Sequence, residues 1–211
     1  IAKNGGLFVP EELPEISEAE ITELIGMSYP ERAAYVLSKF LTDYTEQELL
    51  GYAERAYSAE RFPGEGGAAP VHTLSDKISV LELFHGPTCA FKDFGAGFMG
   101  RMTGLLGAAD EKLVILTATS GDTGSAVAHG FHNVPGVEVV VLYPEGKISR
   151  LQECQMTALG GNIHPLRVAG TFDDCQRLVK ELFADAPFRK RRRVTSANSI
   201  NLLRWIPQAF Y

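Results

Sequence analysis

Val137-Glu138-Val139-Val140-Val141-Leu142 is a short apolar run dominated by β-branched residues, which is the composition of a strand covered on both faces. It is one member of a series. The sequence reads as strand at 80–84, helix at 91–106, strand at 112–118 and helix at 124–131. After the strand at 137–143 it continues as helix at 149–159, strand at 163–168 and helix at 172–183. Strands separated by helices predict parallel pairing with helices above and below, an α/β three-layer sandwich. Ligands of such sheets bind outside the carboxyl ends of the strands. Residues 120–124 and 144–147 fall there.

The residues before this series have a different texture. Ile21, Leu24 and Ile25, then Ala33, Val36, Leu37, Phe40 and Leu41, recur at helical spacing between residues 14 and 60. Ser17 with Glu20, and Ser28-Tyr29-Pro30-Glu31, have the hydroxyl and carboxylate spacing of helix starts. Pro63-Gly64-Glu65-Gly66-Gly67-Ala68-Ala69-Pro70 then breaks the pattern, with too little apolar side chain to pack and too much backbone freedom to be regular. The expected organisation is a small, mostly helical domain over 1–75 followed by an α/β domain over 76–211 that is incomplete at its carboxyl end. The chain opens on Ile1 and closes on Phe210-Tyr211 inside a helical stretch, so the expectation is a piece of a longer protein.

Composition narrows the function classes. A chain of 211 residues with 45% hydrophobic content can bury an ordinary core. A formal charge of -6 disfavours general nucleic-acid binding. The run Arg189-Lys190-Arg191-Arg192-Arg193 reads as a solvated helix end or loop. Cys89, Cys154 and Cys175 form no Cys-x-x-Cys pair, so neither a disulfide scaffold nor a zinc site is expected. His72, His85, His129, His132 and His164 are scattered and suggest no metal site. No apolar run approaches the roughly 18 residues of a membrane span.

Chemistry concentrates in His85-Gly86-Pro87-Thr88-Cys89-Ala90-Phe91-Lys92-Asp93-Phe94. A lysine flanked by Phe91 and Phe94 after a Gly-Pro turn is a candidate nucleophile, because desolvation disfavours its charged form and a neutral amine condenses with an aldehyde. The plain alternative is a surface lysine at a helix start. Gly95-Ala96-Gly97-Phe98-Met99-Gly100 matches the dinucleotide fingerprint by letter but lies inside a helix rather than after a strand, so close helix packing explains it better. Gly146-Lys147-Ile148-Ser149 lacks the earlier glycine of a phosphate loop and reads as a turn with a Ser149 cap. Ser120-Gly121-Asp122-Thr123-Gly124 joins a strand to a helix, where unpaired amides favour an anion, or where the side chains cap the helix.

Leu81-Glu82-Leu83-Phe84 running into the Lys92 decapeptide resembles the cofactor-lysine segment of the threonine synthase family. Further blocks are similar, in family order: Gly5-Gly6-Leu7-Phe8-Val9-Pro10; Thr117-Ala118-Thr119-Ser120-Gly121-Asp122-Thr123-Gly124; Tyr143-Pro144-Glu145-Gly146-Lys147-Ile148-Ser149; Leu159-Gly160-Gly161-Asn162; and Ser196-Ala197-Asn198-Ser199-Ile200-Asn201. The resemblance implies a fold-type II pyridoxal 5'-phosphate enzyme that converts O-phospho-L-homoserine and water to L-threonine and phosphate. It makes Lys92 the catalytic residue, and Lys92, Phe91 and Asp122 the cofactor contacts. Ser120, Gly121, Asp122, Thr123, Asn198, Ser199 and Asn201 become substrate contacts, with Arg204 in the substrate-phosphate region and His85 and Thr88 beside Lys92. Many relatives outside this branch have Asn at the place of Asp122, and related enzymes often carry arginine at Gly97. The family's Gly-Asn-Phe-Gly type phosphate loop has no counterpart in these residues. The implied protein is cytoplasmic, takes a small-molecule substrate, binds neither nucleic acid nor membrane, and self-associates through exposed apolar faces. The competing readings are a threonine dehydratase or β-replacement enzyme of the same fold, and a non-catalytic fragment.

Overall fold

The computed structural model describes residues 6–106 and 112–211. Ile1 and Gly5, quoted above, lie outside them. The amino-terminal part is helical: α1 (Glu18–Ile25), α2 (Tyr29–Ser38) and α3 (Glu46–Ala56). Each starts at a hydroxyl residue, Ser17, Ser28 or Thr45, in a reciprocal capping box with Glu20, Glu31 or Glu48. Such a box satisfies amides that the first turn leaves without partners.

An antiparallel hairpin follows, β1 (Val71–Ser75) with β2 (Ile78–Leu81), Val71 facing Leu81. Every residue of both strands is exposed. The expected domain boundary at 75/76 falls in the turn of this hairpin. Its strands are hydrogen-bonded to each other.

The α/β part comprises α4 (Lys92–Leu106), β3 (Leu113–Ala118), α5 (Asp122–Phe131), β4 (Val137–Pro144), α6 (Arg150–Thr157) and β5 (Ile163–Val168). It continues with α7 (Phe172–Ala184), α8 (Ala186–Arg191), β6 (Arg193–Ser196) and α9 (Leu202–Trp205), and a 3-10 turn spans Ile206–Ala209. The sheet order is β5-β4-β3-β6, all parallel. Strand alternation sends Ile115, Val139 and Val141 into a core with Met99, Val127, Phe131 and Met156. Leu116, Ala118 and Leu142 point to the opposite side, against Cys175 and Val179 of α7. Both faces are covered, which gives the expected three layers. The basic run is the exposed end of α8, with Arg189, Lys190 and Arg191 in its last turn and Arg192 as its cap, and its final residue Arg193 opens β6.

Within α4 the fingerprint-like glycines serve packing. A Cβ on Gly100 would be driven into the Gly130 carbonyl of α5, and one on Gly130 would come within 2.5 Å of the Ala96 carbonyl oxygen. The two helices therefore cross backbone to backbone. The other side of α4 sends Phe94, Phe98 and Met102 into the helical amino-terminal core with Leu37, Leu49 and Tyr57.

Candidate active site

The turn before α4 is closed by its own sequence. Asp93, 2% exposed, accepts from the Thr88 amide at 2.8 Å and the Thr88 hydroxyl at 2.7 Å. A side chain at residue 86 would put its Cβ 2.6 Å from the Asp93 carboxylate, so Gly86 is what lets the loop close. The closed turn presents Lys92 as the first residue of α4, with Nζ 4.3 Å from the centroid of the Phe91 ring. Phe94 lies about 200° further round the helix and packs against Tyr57, Phe62 and Tyr211 instead. Of the two aromatic neighbours expected to desolvate the lysine, the ammonium stands over Phe91.

Nζ of Lys92 lies 3.5 Å from Oδ2 of Asp122, the first residue of α5. The loop that carries Asp122 is held from inside: the Thr119 hydroxyl accepts from the Gly121 amide at 2.9 Å and the Gly124 amide at 2.8 Å. The amides of Asp122 and Thr123 have no acceptor among the described residues, and they head a ten-residue helix whose dipole favours an anion. Ser120 is exposed and Thr123 half-buried at this rim. The other Asp122 oxygen accepts from Gln152 Nε2 at 2.6 Å. Gln152 was not singled out from the sequence, where it reads as an ordinary third residue of helix α6.

A third component comes from the far end of the chain. Arg204 is 3% exposed, and its Nε has no hydrogen-bond partner. One of its terminal nitrogens lies 2.6 Å from where a Cβ on Gly95 would be. Gly95 is one turn from Lys92 on the same face of α4. Burial lowers the Arg204 pKa from its ordinary value, and the Asp93 charge opposes that shift. Arg61 is similar: its guanidinium lies 3.5 Å from the Cβ position of Gly97, its Nε has no partner, and burial lowers its pKa.

Asn198 and Asn201 are occupied differently from the expectation. The Asn198 amide pairs with the Ala118 backbone, donating at 3.0 Å and accepting at 3.3 Å, and so continues the β3–β6 pairing past the last strand residue. Asn201 caps α9 through the Leu203 amide and donates to the Ser196 carbonyl. Ser199 is exposed beside them. A cleft of about 910 Å³ runs between β6 and α7, lined in part by Asn198, Asn201, Val179 and Lys180, but not by Lys92 or Asp122. His85 bonds Glu82 at 2.7 Å and stacks on Phe84, and the Thr88 carbonyl accepts from Gln155 at 3.4 Å.

A doubly covered parallel sheet, an amine at a helix start and unpaired amides after a strand make an α/β arrangement that suits a lysine-bound aldehyde cofactor. Residues 65–205 match the family described as Pyridoxal-phosphate dependent enzyme. The chain belongs to that family. Residues 1–57 match a second description, Threonine synthase N terminus. The chain is 48% identical over 211 residues to the threonine synthase of Escherichia coli and 46% identical to that of Serratia marcescens, covering all of this chain and 47% of each relative. Among solved structures, the threonine synthase of Escherichia coli superposes with a TM-score of 0.87 at 46% identity, over 100% of this chain and 47% of that one. The PLP-bound threonine synthase of Brucella melitensis superposes with a TM-score of 0.87 at 37% identity, over 99% of this chain and 45% of that one. The chain thus spans about half the length of the relatives it matches. Its residues fit the cofactor: Lys92 is reachable, lies over the Phe91 ring and faces the Asp122 carboxylate. Among the described residues no helix is long and apolar enough to cross a membrane.

Proposed function

We propose that this chain carries the cofactor lysine and the substrate-phosphate contact of a threonine synthase, which converts O-phospho-L-homoserine and water to L-threonine and phosphate. The observation that carries the proposal is the buried Arg204 side chain, whose Nε has no hydrogen-bond partner, on the Lys92 face of α4. A buried donor without an acceptor is unfavourable, and a substrate phosphate supplies acceptor oxygens.

When bound, pyridoxal phosphate supplies an electron sink for charge developing on the substrate carbons. Lys92 would hold it, and the Lys92 amine would move protons at the substrate α and β carbons. Once free, the Lys92 ammonium is stabilised by Asp122 Oδ2 within the same site. The unpaired amides of Asp122 and Thr123 bind the substrate carboxylate, with the Gly121 backbone shaping that loop and the Ser120 hydroxyl at its rim. Arg204 binds the phosphate and stabilises the charge that grows on it as the carbon–oxygen bond breaks. Asn198 and Asn201 shape the phosphate end through the backbone bonds they make, and Ser199 offers a free hydroxyl there. Phe91 provides the apolar wall under Nζ.

The domain boundary belongs at residues 58–64, ahead of the hairpin. The protein is cytoplasmic, acts on a small molecule, and self-associates. The test is to add pyridoxal phosphate, reduce with borohydride and map the modified lysine by peptide mass, then to assay phosphate release from O-phospho-L-homoserine in the longest natural form of the protein. Modification at Lys92, lost in Lys92→Ala, is the expected result. Modification elsewhere would sink the proposal, and turnover of threonine without phosphohomoserine turnover would favour a dehydratase.

A further inference from the structure

Five helices among the described residues begin with a reciprocal capping box. In four of them the third residue is an acid: Glu20, Glu31, Glu48 and Asp174. In α6 it is an amide, Gln152. Either type satisfies the cap, because the box needs only an oxygen that accepts from the first residue. Gln152 Oε1 does this, accepting from the Ser149 amide at 3.1 Å and hydroxyl at 3.0 Å. Its other end does something a carboxylate cannot do, donating Nε2 to Asp122 Oδ1 at 2.6 Å. A glutamate here would keep the cap and set two carboxylates against each other.

The surroundings fix this amide tightly. A Cβ on Gly121 would lie 2.5 Å from Cδ, Nε2 and Oε1 of Gln152, so a side chain there would push the Gln152 amide aside. The Ser125 hydroxyl donates to the Gln152 carbonyl at 3.3 Å. Gln155, on the same helix, reaches the Thr88 carbonyl in the turn before Lys92. Helix α6 is therefore tied both to the Asp122 loop and to the Lys92 turn.

We propose that Gln152 is a positioning residue: its amide turns the Asp122 carboxylate so that Oδ2 faces Lys92, and the resulting ion pair fixes Lys92 Nζ. The catalytic meaning of this pair rests on the function proposed above, whereas the pairing itself is testable without cofactor or activity.

The experiment is NMR of the chain after reductive methylation of its lysines with ¹³C-formaldehyde. The Lys92 signal is identified by its loss in Lys92→Arg. The expected spectrum separates Lys92 from the signals of exposed lysines. In Gln152→Glu that signal moves to the exposed-lysine position while the melting temperature is retained. In Ser149→Ala the melting temperature falls and the Lys92 signal stays. Should Gln152→Glu fail to fold, Gln152→Met replaces it, and the contrast with Ser149→Ala then isolates the donated bond. A Lys92 signal that already coincides with exposed lysines, or that stays at its unsubstituted position in the Gln152 variants, overturns the inference. Failure of borohydride trapping at Lys92 would instead remove the proposed function and leave the pairing result standing.

Discussion

Gly121 has φ 140° and ψ -87°, a region that side-chain-bearing residues enter only under strain, and its missing side chain is the space in which Gln152 sits. Gly121→Ala should therefore destabilise the protein by about 1–3 kcal/mol and displace the Asp122 carboxylate. Urea denaturation checks the first effect and the methyl-lysine spectrum the second. Arg204 makes the opposite case. Removing an unpaired buried cation relieves its desolvation, so Arg204→Met should melt at or above the temperature of the unsubstituted protein. Inorganic phosphate should raise the melting temperature of the unsubstituted protein but not of the variant; a phosphate effect retained in Arg204→Met would remove Arg204 from the anion site. These residues differ in how far the sequence shows them. Lys92 and the Asp122 loop are legible because turn and helix chemistry are local. Gln152 and Arg61 are not, since their partners are chosen by helix packing across long separations in sequence. Phe94 misleads because two residues along a helix point to nearly opposite sides.

At the scale of elements, the caps set the response to acid. Glu20 has its pKa lowered foremost by the Lys39 ammonium, with help from the Tyr35 hydroxyl and Ser17. Glu31 is lowered by the Ser28 hydroxyl and amide, Glu48 by the Thr45 amide and hydroxyl, and Asp174 by the Thr171 amide and hydroxyl together with Arg177. Each has a folded pKa below its unfolded value. Their stabilisation is therefore complete above roughly pH 4.3 and is lost as pH falls through the folded values. Helical ellipticity at fixed temperature should decline below about pH 4, and Glu31→Gln with Glu48→Gln should flatten that decline, since glutamine caps without titrating. An identical acid profile in the double variant would exclude the Glu31 and Glu48 caps as its cause. The same local chemistry made these helix starts legible at Ser17 and Ser28. Elements without it are less legible: the strand expected at 80–84 meets β2 only at Val80 and Leu81, and β1 and β6 are not anticipated. The β1–β2 hairpin has no buried face to impose alternation, and β6 begins within a basic run that reads as solvated until β3 pairs with it.

At the scale of the whole molecule, α4 is the wall between two cores. Phe94 and Phe98 belong to the helical core, whereas Ala96 and Met99 belong to the core against the sheet. Phe94→Ala should cost about 3–5 kcal/mol and lower the stability of both parts in one transition. Separate transitions by helix and tryptophan signals would show that the two cores unfold independently. The sheet itself is asymmetric at its edges. Edge strand β5 carries Pro165 and Arg167, features that blunt strand addition. Edge strand β6 has neither within its last three residues, and pairs only with β3 among the described residues. Beside it lie a partly apolar cleft and the exposed side chains of Leu7 and Phe8. Apolar surface next to an open edge favours association. The run Arg189–Arg193 precedes that edge in every copy, so two copies meeting there bring like charges together. Salt screens such charges, with a Debye length of about 10 Å at 0.1 M and 3 Å at 1 M. Light scattering of the chain should therefore show a mass above 23.0 kDa that rises with protein concentration and rises further with added salt. Association that weakens with salt would point instead to the acidic amino-terminal helices meeting the basic run, and a monomer throughout would mean that the β6 edge is already protected.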